Sequence, residues 1–241
     1  MTSTTLALAN KPMVRGGHSA PNFQVRIHSH GSDQRDQLEG YIADQFAKVH
    51  GARVSNFLPL LLALSEQAGN TAGVVGLKPG YAGQMFLEHY LPKPVEQCVA
   101  QALGQPIDRA GMVEIGNLAV ARRGSGFVLF VLMNAILEQA GFQWMVFTAT
   151  SEVQRLISRL GFEPLALAPA SIDQLGDESG DWGEYYANNP QVMVGSVAKA
   201  KAIFDVSPGL KQLAEPYRPL IAQLASHLRD HRRFCARAEV A

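Results

Sequence analysis

Charge is scarce in this chain and evenly balanced. Only 17% of its 241 residues are charged, and 21 lysines and arginines meet 21 aspartates and glutamates. A chain with no net charge has no bulk attraction for a polyanion, so no nucleic-acid partner is expected. Cysteine is almost missing. Cys98 and Cys235 fit no metal-binding or redox spacing, so no metal is expected, and they suit a reducing, cytoplasmic setting. One disulfide between them is the alternative. Long apolar runs are also absent. The longest, 127–137, is interrupted by Asn134 and falls short of the roughly 20 residues that span a bilayer. It reads as a buried helix. The opening MTSTTLALAN lacks the charged start and full apolar run of a signal peptide.

Apolar side chains make up 47% of the chain, enough for a large core in one domain or two small ones. Residues 1–20 read as a loose tail. NFQVRIHS alternates like a strand. A helix follows, with Leu38, Tyr41, Ile42, Phe46 and Val49 at helical spacing, Ser32 or Asp33 as its cap and Gly51 past its end. FLPLLLALSEQ and NTAGVVGLKP form a hairpin around Gly69-Asn70. Val95–Leu103 is helical, AGMVEIGNLAV a strand, 127–140 a helix stopped by Gly141, and FQWMVFTAT a buried strand. SEVQRLISRLG is a short helix, with Ser151 as cap and Gln154 in the capping-box position. FEPLALAPA is a strand, 171–190 a polar insertion, and QVMVGSVAKA the last strand. Residues 210–241 form a basic amphipathic helix, with six Lys/Arg and three Asp/Glu from Lys211 onward. Its stripe is Leu213, Tyr217, Leu220, Ile221, Leu224 and Leu228. This order of elements predicts one mixed α/β sheet over 21–209, flanked by helices and followed by the helical extension.

Between the strand at 112–120 and the apolar helix stand Arg122, Arg123, Gly124, Ser125 and Gly126. A strand that enters a glycine-rich turn and then a helix makes an anion trap. The first helical N–H groups lack internal partners, the helix dipole adds positive character, and glycine admits close approach. The two arginines add fixed charge that can grip a pyrophosphate. The spacing is neither that of a P-loop nor of a full G-x-G-x-x-G. A glycine-relieved turn with solvated arginines is the alternative.

These residues resemble the pyrophosphate loop of the GNAT-type acyl-CoA N-acyltransferases, Gln/Arg-x-x-Gly-x-Gly/Ala, with Ala121 departing at the first position. SEVQRLISRLGFEPL is similar to the superfamily's last core helix and the strand after it. Ile157 stands where many members carry a tyrosine acid, so that role does not carry over to this position. At family level, FLEHYL with PVE soon after, VEIGNLA and WGEYYANNPQVMVG resemble the thermostable haemolysin family over about residues 22–205. The layout is also similar to acyl-homoserine-lactone synthases. Those enzymes carry an arginine where this chain has Asn117, so lactone synthesis itself is not implied. The resemblance implies a GNAT-like sheet that binds acyl-CoA, or acyl carrier protein, as acyl donor. Pantetheine would lie along Leu118, Ala119 and Val120, and the phosphates on Arg122, Arg123, Gly124, Ser125 and Gly126.

Strict alternation points Glu114 and Asn117 to opposite faces of their strand. Gly116 between them marks a candidate bulge, which would bring both to one side and free a backbone N–H for a thioester carbonyl. Buried Glu114 can deprotonate an amine nucleophile directly or through water. Alternatively it pairs with Arg53 or Arg109 and holds the fold. Glu88 and His89 are further candidates. Tyr185, with Trp182 and Tyr186, either closes a pocket and protonates the leaving thiolate or anchors a long loop. The expected reaction is acyl transfer to the amine of a small metabolite or amino acid, within a ternary complex. Two other functions stay open: a membrane-active lysin acting through the C-terminal stripe, and an acyl-CoA-binding protein without turnover. A homo-oligomer is compatible with the sequence.

Overall fold

In the computed structural model the described residues are 23–122, 124–176 and 182–238. The expected tail, Arg123 and residues 177–181 of the polar insertion lie outside them. The strands are β1 Gln24–Ser29, β2 Leu60–Ser65, β3 Thr71–Pro79, β4 Met112–Val120, β5 Trp144–Ala149, β6 Leu165–Pro169 and β7 Gln191–Ser196. They form one seven-stranded sheet in the order β1-β2-β3-β4-β5-β7-β6. Every neighbouring pair is antiparallel except β4 and β5. The helices are α1 Arg35–His50, α2 Val95–Leu103, α3 Ser125–Ala140, α4 Ser151–Arg159, α5 Val197–Val206, α6 Pro208–Ala214 and α7 Arg218–Ala238.

The alternation of each strand divides the core between the two faces of the sheet. Leu60, Leu62, Val113 and Met145 face α3, α5 and α7. Leu61, Ala63 and Val74 face α1, while Met112, Val146 and Val192 face the 3-10 turn Phe86–Tyr90 and α2. α3 is apolar almost all round because it lies between the sheet and two further helices. The fully buried Asn134 donates from Nδ2 to the Val197 carbonyl at 3.4 Å, tying α3 to the start of α5.

Several boundaries differ from the sequence reading. The cap of α1 is Gln34, without a side-chain bond; the Ser32 hydroxyl lies 3.4 Å from His28 Nδ1 instead, and its backbone turns back to Ser29. Thr150, not Ser151, caps α4, and Gln154 Nε2 donates to the Ala149 carbonyl instead of completing a capping box. The last strand stops at Ser196, whose hydroxyl accepts from Lys199 N–H and starts α5. The C-terminal stripe is taken up internally. Tyr217, Ile221, Leu224 and Leu228 are buried in the α3-side core, and the Tyr217 hydroxyl accepts from Phe23 N–H at 2.9 Å. Both cysteines are free thiols.

One buried cation holds the joint between β1, α1 and the approach to β2. The Arg35 guanidinium is 3% exposed and donates to the carbonyls of His28, Leu58 and Pro59, and to Glu39 Oε1 at 2.6 Å. Removing it strands three carbonyls in a dry environment. We expect Arg35→Met to cost about 3 kcal/mol of unfolding free energy. Arg122→Met, which breaks an exposed pair with Glu66, should cost less than about 1 kcal/mol. Urea denaturation midpoints of the two variants check the contrast.

Candidate active site

The site begins with an irregularity in β4. Along the β3–β4 ladder Val74 faces Ala119 and Gly76 faces Gly116, so Asn117 and Leu118 together oppose Val75. This is a bulge, and Asn117 adopts the left-handed conformation it needs, with φ +49°. Asn117 stays there because both ends of its amide are used. Oδ1 accepts from Leu58 N–H at 2.8 Å, and Nδ2 donates to the Asn56 carbonyl at 3.1 Å. Leu58 lies close over the strand: a Cβ added at Gly76 or Gly116 would come within 3.0 Å of its side chain.

The bulge reverses the alternation. Met112, Glu114 and, after it, Ala119 all face the α1 side, whereas Leu118 and Val120 turn toward α3. It also coincides with the point where the sheet parts. Parallel pairing of β4 with β5 runs only from Met112–Trp144 to Ile115–Phe147. Beyond it the β5-facing edge of 116–120 has no strand partner among the described residues, and Leu118 is 45% exposed there. The start of α3 adjoins this opening. Gly124 holds φ +87°, open to glycine and strained for other residues. Gly126 is not required by the fold: a Cβ there would meet only Val120 methyls at an ordinary 3.5 Å.

Not every loop residue faces outward. The Ser125 hydroxyl is buried and lies 2.8 Å from the Ala72 carbonyl and 2.7 Å from the Arg122 carbonyl, to one of which it donates. The Arg122 guanidinium bonds Glu66 and sits 5.8 Å from the centre of the Phe23 ring. Ala121 N–H donates to the Tyr41 hydroxyl at 2.9 Å, which anchors the end of β4 on α1. Tyr41 also borders a shallow depression of about 480 Å³ between α1 and the β2–β3 turn. The lining of that depression is drawn from α1 and the β2–β3 turn and includes none of Glu114, Asn117, Leu118 or Gly126.

Glu114 is 4% exposed, and its partners are backbone amides rather than an arginine. Oε2 accepts from Phe86 N–H and Oε1 from Leu87 N–H, both at 2.9 Å. It thereby holds the start of the 86–90 turn. Burial raises its pKa, the two amides and Lys78 partly oppose this, and the result is about 7. Glu88 is the opposite case. Burial alone would raise it, but hydrogen bonds from Arg109, Val95 N–H and Met85 N–H bring it down to about 2. Its contacts with Arg109 are bidentate, at 2.7 and 2.8 Å, and Arg109 also reaches Glu96. Four donors saturate the Glu88 carboxylate, so its work is to fix the turn and the start of α2. His89 bonds its own turn at the surface.

Tyr185 stands on the Glu114 face of the sheet, beside Phe46 and His50 of α1, and its hydroxyl donates to the Thr148 carbonyl at 3.5 Å. Burial raises its pKa. It continues into Trp182, Tyr186, Phe86 and Tyr90, with the Tyr90 and Tyr186 hydroxyls 2.5 Å apart. The structure therefore gathers Glu114, Asn117, Glu88 and Tyr185 around one face of β4 and β5. Leu118, Val120, Gly124 and Gly126 gather around the other. Arg35 and His50 carry no motif in the sequence, and Tyr41 stands out there only as part of the α1 stripe. No spacing in the sequence marks Arg35 either; its burial appears only in the fold.

A mixed sheet that opens between two central parallel strands, next to a glycine-led helix start, is an acyltransferase-type fold. The chain belongs to the Thermostable hemolysin family, whose model matches residues 28–201. Among solved structures it is similar to the CoA-dependent acyl-homoserine lactone synthase BjaI, with 15% identity, 76% of this chain and 89% of that chain covered, and a TM-score of 0.53. It is also similar to FeeM, an N-acyl amino acid synthase from uncultured soil microbes, with 12% identity, 75% and 95% coverage, and a TM-score of 0.51. These are likenesses of fold. No curated protein gives a significant match. None of the helices among the described residues is long and apolar enough to cross a membrane.

The two glutamates should shape the pH dependence of stability in opposite directions. Glu88, lowered in the fold, contributes stability above about pH 4.5 that is lost as pH falls toward 2. Glu114, raised in the fold, contributes stability below about pH 4.5 that is lost as pH rises through 7. Denaturation across pH should show the acid slope flattened in Glu88→Gln and the neutral slope flattened in Glu114→Gln.

Proposed function

We propose that the protein moves an acyl group from acyl-CoA, or from an acyl carrier protein, to the amine of a small metabolite or amino acid. The observation that carries this reading is the parting of β4 from β5 beyond Ile115 and Phe147, with an unpaired strand edge and exposed Leu118 beside the start of α3. A pantetheine arm is a chain of amides. Beside 116–120 it would find the backbone donors and acceptors that β5 has left free. The pyrophosphate would rest on the first turn of α3, where amides and dipole favour an anion. Gly126 fits this account: glycine costs a helix up to about 1 kcal/mol relative to alanine, and the protein's own packing does not ask for it. Arg122 would exchange Glu66 for phosphate oxygens.

The thioester would lie in the opening, reached from the α3 face, and the amine would approach from the Glu114 face. Glu114 holds the 86–90 turn that walls this second face, and Asn117 holds the bulge. Both act by positioning. Tyr185 lines the acceptor side and can return a proton to the leaving thiolate. Neither cysteine adjoins these residues among the contacts described, which favours direct transfer over an acyl-enzyme. The C-terminal stripe is buried in the core, so it offers no apolar face to a membrane.

Gly126→Ala separates binding from folding. The added methyl fits the fold and should leave the melting temperature unchanged or raised. It should weaken acyl-CoA binding, read by calorimetry, by about tenfold or more. Equal affinity in the two proteins, or no acyl-CoA binding by the unmodified chain, contradicts the proposal.

A further inference from the structure

His50, the last residue of α1, stands at the same opening with no assigned task. Its ring meets Tyr185 edge-on with centroids 5.4 Å apart, and Phe46 at 5.8 Å. Tyr185 in turn touches Thr148, the first β5 residue beyond the last pair with β4. His50 is thus one ring away from where the strands part, on the face that carries Glu114. Its backbone is clamped. The Glu184 N–H donates to the His50 carbonyl at 2.8 Å, and a Cβ on Gly183 would come within 2.1 Å of that oxygen. Its ring nitrogens have no hydrogen-bond partner among the described residues, although the ring is half-buried. Two carboxylates are close enough to act on its charge: Glu152, in the first turn of α4 directly after β5, and Glu184, in the insertion. Both are exposed.

We infer that His50 is the proton acceptor for the incoming amine, and that Glu152 and Glu184 attract the amine as its ammonium ion. The inference rests on the acyltransferase reading above. The ammonium passes one proton to an imidazole nitrogen and becomes a neutral amine. The nitrogen lone pair then attacks the thioester carbonyl, the C–N bond forms and the C–S bond breaks. Tyr185 passes its proton to the departing thiolate and recovers the second nitrogen proton, giving an amide and free thiol, and the imidazolium releases its proton to water. Nothing is oxidised or reduced. Burial holds the imidazole below the usual histidine range, and the two carboxylates oppose this. The ring is therefore neutral and able to accept at neutral pH.

The test follows thiol release from acetyl-, octanoyl- and palmitoyl-CoA with hexylamine, putrescine, glycine or methionine as acceptor. Acyl-CoA binding is measured separately by calorimetry. His50→Gln should lower amine-dependent thiol release about 100-fold while leaving acyl-CoA affinity unchanged, and should abolish the fall in rate at acid pH. The double substitution Glu152→Gln, Glu184→Gln should move that acid limb to lower pH, because it removes the charges that favour imidazolium. A purely structural histidine would not produce that displacement. If acyl-CoA binds and thiol is released equally in His50→Gln, the role assigned to His50 is wrong and the acyltransferase reading stands. If acyl-CoA binds but no amine in the panel releases thiol, the role assigned to His50 also falls. If acyl-CoA does not bind at all, the reading beneath it fails instead.

Discussion

The site depends on a single backbone constraint, the left-handed turn at Asn117. An extra residue in β4 shifts every later side chain to the opposite face, and the strand's far edge has no strand partner among the described residues. Such a conformation is costly for a residue with a side chain. It persists because the amide of Asn117 is bonded at both ends to the 56–58 segment, and that segment is held from behind by the buried guanidinium of Arg35. A helix start, an irregular loop and a bulged strand therefore form one mechanical unit. Leu58, packed over two glycines, is the contact through which they meet.

Around that unit the two faces of the sheet take different chemistry. The α3 face offers helix amides, an exposed leucine and room at Gly126, which suits an anionic, extended donor. The other face is aromatic and carries most of the site's titratable groups. Its order comes from carboxylates used as staples: Glu88 is tied to Arg109 and two amides, and Glu114 caps the 86–90 turn. A carboxylate buried for such a purpose titrates abnormally whether or not it reacts. The raised pKa of Glu114 is thus compatible with a structural task, which leaves the proton transfer proposed for the amine to His50.

Much of the architecture was legible in the sequence. Helical spacing in 35–50 and 95–103, the Gly69 turn and the alternation of NFQVRIHS reproduce the elements closely, and Gly116 beside Asn117 signalled the bulge. Helix starts were less legible. Ser32, Ser151 and Gln154 all have the chemistry of caps, but which of them reaches a free amide depends on a turn one or two residues away. QVMVGSVAKA read as a strand throughout because alternation cannot reveal that Ser196 caps a helix. In the site, the sequence shows which side chains are chemically able but not how many partners each has already met. Glu114 was open to pairing with Arg53 or Arg109, and Glu88 and Arg122 had no partner assigned; in the fold Glu114 is held by the Phe86 and Leu87 amides, Glu88 by Arg109 and Arg122 by Glu66. His50 was overlooked for the converse reason: a histidine at a helix C-terminus looks ordinary until folding brings Tyr185, Glu152 and Glu184 around it.

The central claim is that the unpaired edge of β4 and the first turn of α3 receive a phosphorylated thioester. Amide hydrogen exchange with and without acyl-CoA addresses it residue by residue. The account predicts added protection at Leu118, Ala119, Val120 and the first turn of α3, with the antiparallel strands β1 and β2 unchanged. Protection confined to other surfaces, or absent at saturating acyl-CoA, would contradict it.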